Sequence, residues 1–157
     1  MSRRTKLPTL PQLRKKADHL WSILILLDGT PIDGDGVCRC AVGNCGLPAV
    51  SSHHIFQKSM HGRFRYDRRN GLPICRKCHF MERRDPAPVV ISAMRYLGCS
   101  AFIEFASDVM EQRGRGPLVR KRKDFEAIIA GLEELIAIEA MTPEERVRAN
   151  APTPVEL

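Results

Sequence analysis

No apolar run in this 157-residue chain is long enough to cross a bilayer. The run Ile23 to Leu27 in the first amphipathic segment falls far short of the roughly 20 residues a membrane helix needs. The basic start MSRRTKLPTLP is not followed directly by an apolar stretch with a small-residue cleavage site, so a secretory leader is not expected. These absences give a cytoplasmic expectation with no membrane partner. A reducing compartment disfavours disulfides, so the six cysteines read better as metal ligands. No internal repeat divides the chain. The C-x-x-C at Cys75 lacks a βαβ context, which disfavours a thiol-redox reading.

What is present is a globular composition with an uneven charge. Apolar residues make up 43% of the chain, too many for a disordered one. The length suits one domain with a modest core and helical additions. The net charge is +7, yet residues 1–124 carry 23 Lys and Arg against 11 Asp and Glu, and residues 125–157 carry 2 against 7. A basic body with an acidic tail points to a polyanionic partner, nucleic acid before others.

Apolar spacing predicts a helix over Gln12–Leu27, with Leu13, Ala17, Leu20 or Trp21, Leu24 and Leu27 on one face. A short strand is expected over Val37–Cys45, a second over Val50–Phe56, a long basic loop over 57–73 and a helix from near Cys78. Val89–Leu97 reads as a short helix ended by Gly98, and Ala101–Gln112 as another capped by Ser100. Phe102, Phe105, Ala106 and Val109 form its core face. Residues 113–123, RGRGPLVRKRK, read as a basic linker. Asp124 is expected to cap a final amphipathic helix bearing Ile128, Leu132, Leu135 and Ile136, and Thr142-Pro143-Glu144-Glu145 to open one more.

Cys40 and Cys45 have four residues between them in a turn-rich segment, and Cys75 and Cys78 have two. Each pair can present two thiolates from one tight turn. Two such turns facing each other make a four-thiolate site, the preferred geometry of structural zinc. Closing the long loop between the pairs would stabilise a small core. Cys38 competes with Cys40 but would need a wider turn. Cys99 is expected to be a core thiol.

The segment SSHHIFQKSMHGRFRYDRRNGLPICRKCH leaves His53, His54 and His79 outside that site. On a strand His53 and His54 point to opposite faces, and His79 is fixed in place by its neighbour Cys78. C-x4-C, HHI and R-N-G-L-P-I-C-x-x-C-H, in that order, resemble the HNH endonucleases, in particular small phage and bacterial members with a four-cysteine zinc site. The resemblance covers roughly residues 37–84, with weaker similarity around ADHLWS. It implies an α+β fold: a small zinc-stapled ββα-metal core over 37–84, an N-terminal basic arm and helix over 1–36, and a C-terminal helical extension over 85–157.

The same resemblance implies a metal-dependent endonuclease that hydrolyses DNA phosphodiester bonds. His54 would be the general base, a role suited to an imidazole. His53 and His79 would hold one divalent cation. Asn70 matches the motif's asparagine, which positions the loop and base in some members and binds the metal in others. Some relatives carry another histidine where this chain has Arg83, so a third protein ligand is missing or comes from Asn70 or Glu82. Sparse ligation favours Mg2+ or Mn2+, with Ni2+ or Zn2+ as further candidates. Arg63, Arg65, Arg68, Arg69 and Arg83 are candidate phosphate contacts. A non-catalytic zinc-containing nucleic-acid-binding module is the competing reading. The C-terminal helices are also candidates for a homodimer contact.

Overall fold

A computed structural model describes residues 7–31, 35–43, 45–59, 61–112, 115 and 118–141. It is an α+β fold. Helix α1 (Leu10–Asp28) is followed by strand β1 (Ser51–His54), two single-turn 3-10 helices (Gly62–Phe64 and Arg68–Asn70) and strand β2 (Gly71–Ile74). Among the described residues four further helices follow: α2 (Arg76–Glu82), α3 (Ala87–Leu97), α4 (Cys99–Glu111) and α5 (Arg122–Glu139).

Helix α1 starts two residues before the expected Gln12 because Thr9 caps it. The Thr9 backbone N–H donates to Gln12 Oε1 at 2.7 Å, while the Thr9 hydroxyl accepts from the Gln12 N–H at 3.4 Å. Pro11 is tolerated because first-turn N–H groups have no helical acceptor. The buried face is Leu13, Ala17, Trp21, Leu24 and Ile25, so Trp21 faces inward instead of Leu20, and Ile25 instead of Leu27. Helix α5 covers this face with Phe125, Ile129 and Leu132, each burial contributing about 1.5–3 kcal/mol. That face is rotated from the expected one, and Leu135 is left exposed. Asp124 lies inside the first turn of α5, accepting from the Lys121 N–H at 2.6 Å, and is not the N-cap residue.

The expected strand over Val37–Cys45 is absent from the described residues there. A single antiparallel bridge, Arg39 to Pro48, stands in its place. The partner of β1 is β2, whose first three residues fall in the segment expected to be a loop. The two strands are antiparallel, with His54 opposite Gly71 and His53 opposite Leu72. Four apolar or small residues, GLPI, give no alternation because all are buried. Gly71 is required by close approach: a Cβ there would lie 2.1 Å from Ile25 Cδ1 of α1. Leu72 and Ile74 join Cys40, Val42, Cys75 and Val89 in a second core cluster.

Gly98, at φ +84°, turns the chain between α3 and α4, which are bent by 115° relative to each other. Helix α4 begins at Cys99 with Gly98 as its N-cap, not Ser100. Phe105 and Val109 are its buried residues. Cys99 is exposed, contrary to the expected core thiol, because it opens the helix at that turn. No single helix among the described residues is long and apolar enough to cross a membrane; α3 and α4 reach that composition only when taken together across their bend. The helix expected at Thr142-Pro143-Glu144-Glu145 lies outside the described residues, as does part of the 113–123 linker.

Candidate metal centre and histidine cleft

The four cysteines come together at the end of β2. Cys75 caps α2, its sulfur accepting the Cys78 N–H at 3.4 Å. This turn points both sulfurs toward the 40–45 turn. The Sγ atoms of Cys40, Cys45, Cys75 and Cys78 all lie within 4.8 Å of one another. Cys45 Sγ is 3.7 Å from Cys75 Sγ and 3.6 Å from Cys78 Sγ. A tetrahedral zinc with Zn–S bonds of about 2.3 Å requires sulfur–sulfur edges of roughly 3.8 Å, so this donor set fits such an ion. Cys38 is outside the cluster; its sulfur points to the Arg39 carbonyl at 3.9 Å. Burial and the adjacent sulfurs push the Cys78 thiol up. Cys75 ends at about 7: burial opposes its ionisation, but hydrogen bonds from Cys78 and the other sulfurs outweigh that.

His53 and His79 meet beside this knuckle. Their rings are edge-to-face with centroids 5.2 Å apart. Ser51 Oγ lies 3.3 Å from His79 Nδ1, which leaves Nε2 of His79 for another partner. Glu82 Oε1 is 4.0 Å from His53 Nε2. Burial lowers the His53 pKa, Glu82 opposes that, and His79 adds to it. Among the described residues the cysteines are the one group of three or more side chains whose ligand atoms close to within 4.8 Å; His53, His79 and Glu82 do not.

His54 contacts other elements. Its ring lies flat against Trp21 of α1, with centroids 3.9 Å apart and planes at 18°. Its Nε2 is 2.9 Å from the Arg65 carbonyl oxygen. A carbonyl only accepts, so Nε2 carries the proton and Nδ1 keeps the lone pair. Burial, aided by the Lys58 and Arg65 charges, lowers the pKa to about 4 although the Arg65 carbonyl opposes the shift, so the ring is neutral at pH 7.

Asn70 is fully buried. Its Oδ1 accepts the Phe56 N–H at 2.7 Å, and its Nδ2 donates to the Phe56 and Phe64 carbonyls at 3.1 and 3.0 Å. The amide therefore ties Asn70 to the backbone at Phe56 and Phe64. Its oxygen already serves the Phe56 N–H, in keeping with the loop-holding alternative for this residue.

Three of the five candidate phosphate arginines are already paired. Arg65 makes a fork-like pair with Asp18, Nε to Oδ1 at 2.8 Å and a terminal nitrogen to Oδ2 at 2.6 Å. Arg68 contacts Asp28 at 2.5 Å and Glu139 at 2.7 Å. Arg69 contacts Asp67 and Asp108, both at 2.9 Å, and stacks over Phe105. They tie the basic segment to α1, α4 and α5. Arg63 and Arg83 are exposed and make no ion pair with a described residue.

Sequence reasoning missed Asp18 and Trp21 as residues of the site. Both lie in the ADHLWS stretch, three apart on one helix face, and an acid beside a buried-face tryptophan was the available signal. Searches against family models, curated proteins and solved structures return no match.

Proposed function

We propose that this protein is a metal-dependent DNA endonuclease of the HNH type, with a zinc ion held by Cys40, Cys45, Cys75 and Cys78. The observation that carries the reading is the seating of His54. A neutral imidazole is held by an indole face and a carbonyl, with its Nδ1 making no hydrogen bond to a described residue. Such a ring is oriented to take a proton and is not itself a core filler. Beside it in sequence, His53 turns to His79 and Glu82, a nitrogen and carboxylate set suited to a divalent cation such as Mg2+, Mn2+, Ni2+ or Zn2+. Bound there, the cation would supply charge neutralisation at a scissile phosphate and at the departing oxygen.

The protein's own residues account for the rest. His54 Nδ1 accepts a proton from the attacking water. The Arg65 carbonyl, anchored through Asp18, fixes the tautomer. Ser51 orients His79, as partners of metal-bound histidines commonly do. Asn70 holds the backbone that carries Phe56 and Phe64. The thiolate knuckle fixes α2 against β2.

Plasmid cleavage tests this with Mg2+, Mn2+, Ni2+ and Zn2+ in parallel. His54→Ala should cleave on the order of 10² to 10⁴-fold more slowly while retaining metal and DNA. His53→Ala and His79→Ala should regain activity as the cation concentration is raised. Wild-type cleavage of no DNA form with any cation would replace this reading with the non-catalytic binding module.

A further inference from the structure

Helix α2 and its C-cap residue turn Arg76, Phe80 and Arg83 outward at spacings of four and three, which places them in one stripe, Arg83 keeping helical backbone angles. The two arginines stand about 10 Å apart along the axis, one on each side of the ring. Phe80 is 59% exposed and Met81 47% exposed, an unusual cost for a charged helix. One face of Phe80 carries the Arg84 guanidinium at 5.4 Å from the ring centre. Arg76, Lys77, Arg83 and Arg84 make no ion pair with any described residue, unlike Arg65, Arg68 and Arg69.

Two cavities meet on this stripe. One, about 360 Å³, is lined by Ser51, His79 and Arg83. The other, about 710 Å³, is lined by Leu47, Lys77 and Met81. Val50, Arg76 and Phe80 line both. They form one groove that begins at His79 and runs along an apolar floor with a basic rim.

We propose that this groove holds an unpaired nucleotide next to the phosphate at His79, its base stacked on Phe80 and its phosphates at Arg76 and Arg83. The substrate class is therefore DNA with a single-stranded or flapped segment. The proposal rests on the phosphodiester reading for the role of His79. A duplex keeps its base faces stacked inside and turns phosphates outward, so it would set anionic oxygens against Leu47, Val50, Phe80 and Met81. An unpaired nucleotide offers both an apolar π face and a charge that match ring and arginine. An acidic peptide would match the charge too, but would give no reason for the groove to reach His79.

Fluorescence anisotropy measures it. A labelled oligo-dT strand and a labelled duplex of equal length are titrated with full-length protein without divalent cation. Phe80→Ala should weaken single-strand binding about tenfold, the loss of one base–aromatic stack, and leave duplex binding unchanged. Phe80→Trp should restore it, and Phe80→Leu should not, because leucine fills the groove without a ring face. Arg83→Ala should weaken both ligands. Unchanged single-strand affinity in Phe80→Ala, or equal loss for both ligands, overturns the stacking site and leaves the groove to an acidic, apolar peptide. Cleavage is read separately. An inactive wild type that still binds single strands through Phe80 defeats the nuclease reading alone. An active enzyme whose single-strand binding is indifferent to Phe80 defeats this one alone.

Discussion

The His54 imidazole lies parallel to the Trp21 indole, 3.9 Å away between ring centres. Trp21 is itself held by a hydrogen bond from its Nε1 to the Asp67 carbonyl at 3.1 Å. A helix that sequence would set apart as an N-terminal addition thus forms one wall of the histidine site. Trp21→Ala should lower stability by about 3–5 kcal/mol, the range for emptying a large buried aromatic. Trp21→Phe should keep most of the stack and lose the Asp67 bond. Urea unfolding separates the two; an Ala variant as stable as wild type would show that the ring does not pack as described.

Asp18 contributes through Arg65, with a pH signature. Burial would raise its pKa, but the hydrogen bond and charge of Arg65 outweigh it, so the folded value lies below the ordinary 3.8. A depressed carboxylate pKa adds stability that is complete above the unfolded value and lost as pH falls through the folded one. Asp18→Asn should therefore be less stable than wild type at pH 7, and the gap should close below about pH 3.8. Denaturation midpoints across that range check the sign. A gap that widens toward acid would contradict it.

Removing the thiolates should remove the metal and then the local fold. Purified protein should contain about one zinc per chain. Cys75→Ser or Cys78→Ser should lose it and become aggregation-prone, since binding energy at such a site is folding energy. Cys38→Ser and Cys99→Ser should retain it, because neither sulfur belongs to the cluster. Elemental analysis of the four variants decides the ligand set.

Gly71→Ala should overpack the contact between β2 and α1, costing about 1–3 kcal/mol. The added methyl meets Ile25 Cδ1, so Ile25→Val in the same chain should recover part of the loss. A double-mutant cycle reads the coupling, and strict additivity would mean that the helix and strand do not press together there.

Salt dependence of DNA binding should follow pairing and not merely the presence of arginine. Arg63→Ala and Arg83→Ala should each reduce the slope of log affinity against log salt by about one phosphate contact. Arg68→Ala should chiefly lower stability, because Asp28 and Glu139 already engage it. A slope unchanged by Arg63 and Arg83 but flattened by Arg68 would reverse the assignment.

Local pattern determined much of this protein. The spacing of the cysteines pointed to Cys45, Cys75 and Cys78 with Cys40 preferred over Cys38, since a tight turn leaves few ways to present two thiolates together; the fold brings Cys40 into the cluster and leaves Cys38 out. Helical periodicity located α1, α3, α4 and α5 to within a few residues. It could not find β2, because GLPI is buried on both faces and shows no alternation. Nor could it orient α5, whose apolar residues exceed one face until α1 selects Phe125, Ile129 and Leu132. Only the tertiary structure decided which arginines are free. Arg65, Arg68 and Arg69 look alike in sequence to Arg63 and Arg83; Arg69 has one local partner in Asp67, but Asp18, Asp28 and Asp108 lie 47, 40 and 39 residues from the arginines they engage. Long-range pairing of that kind depends on where α1 and α4 come to rest, and no local signal encodes it.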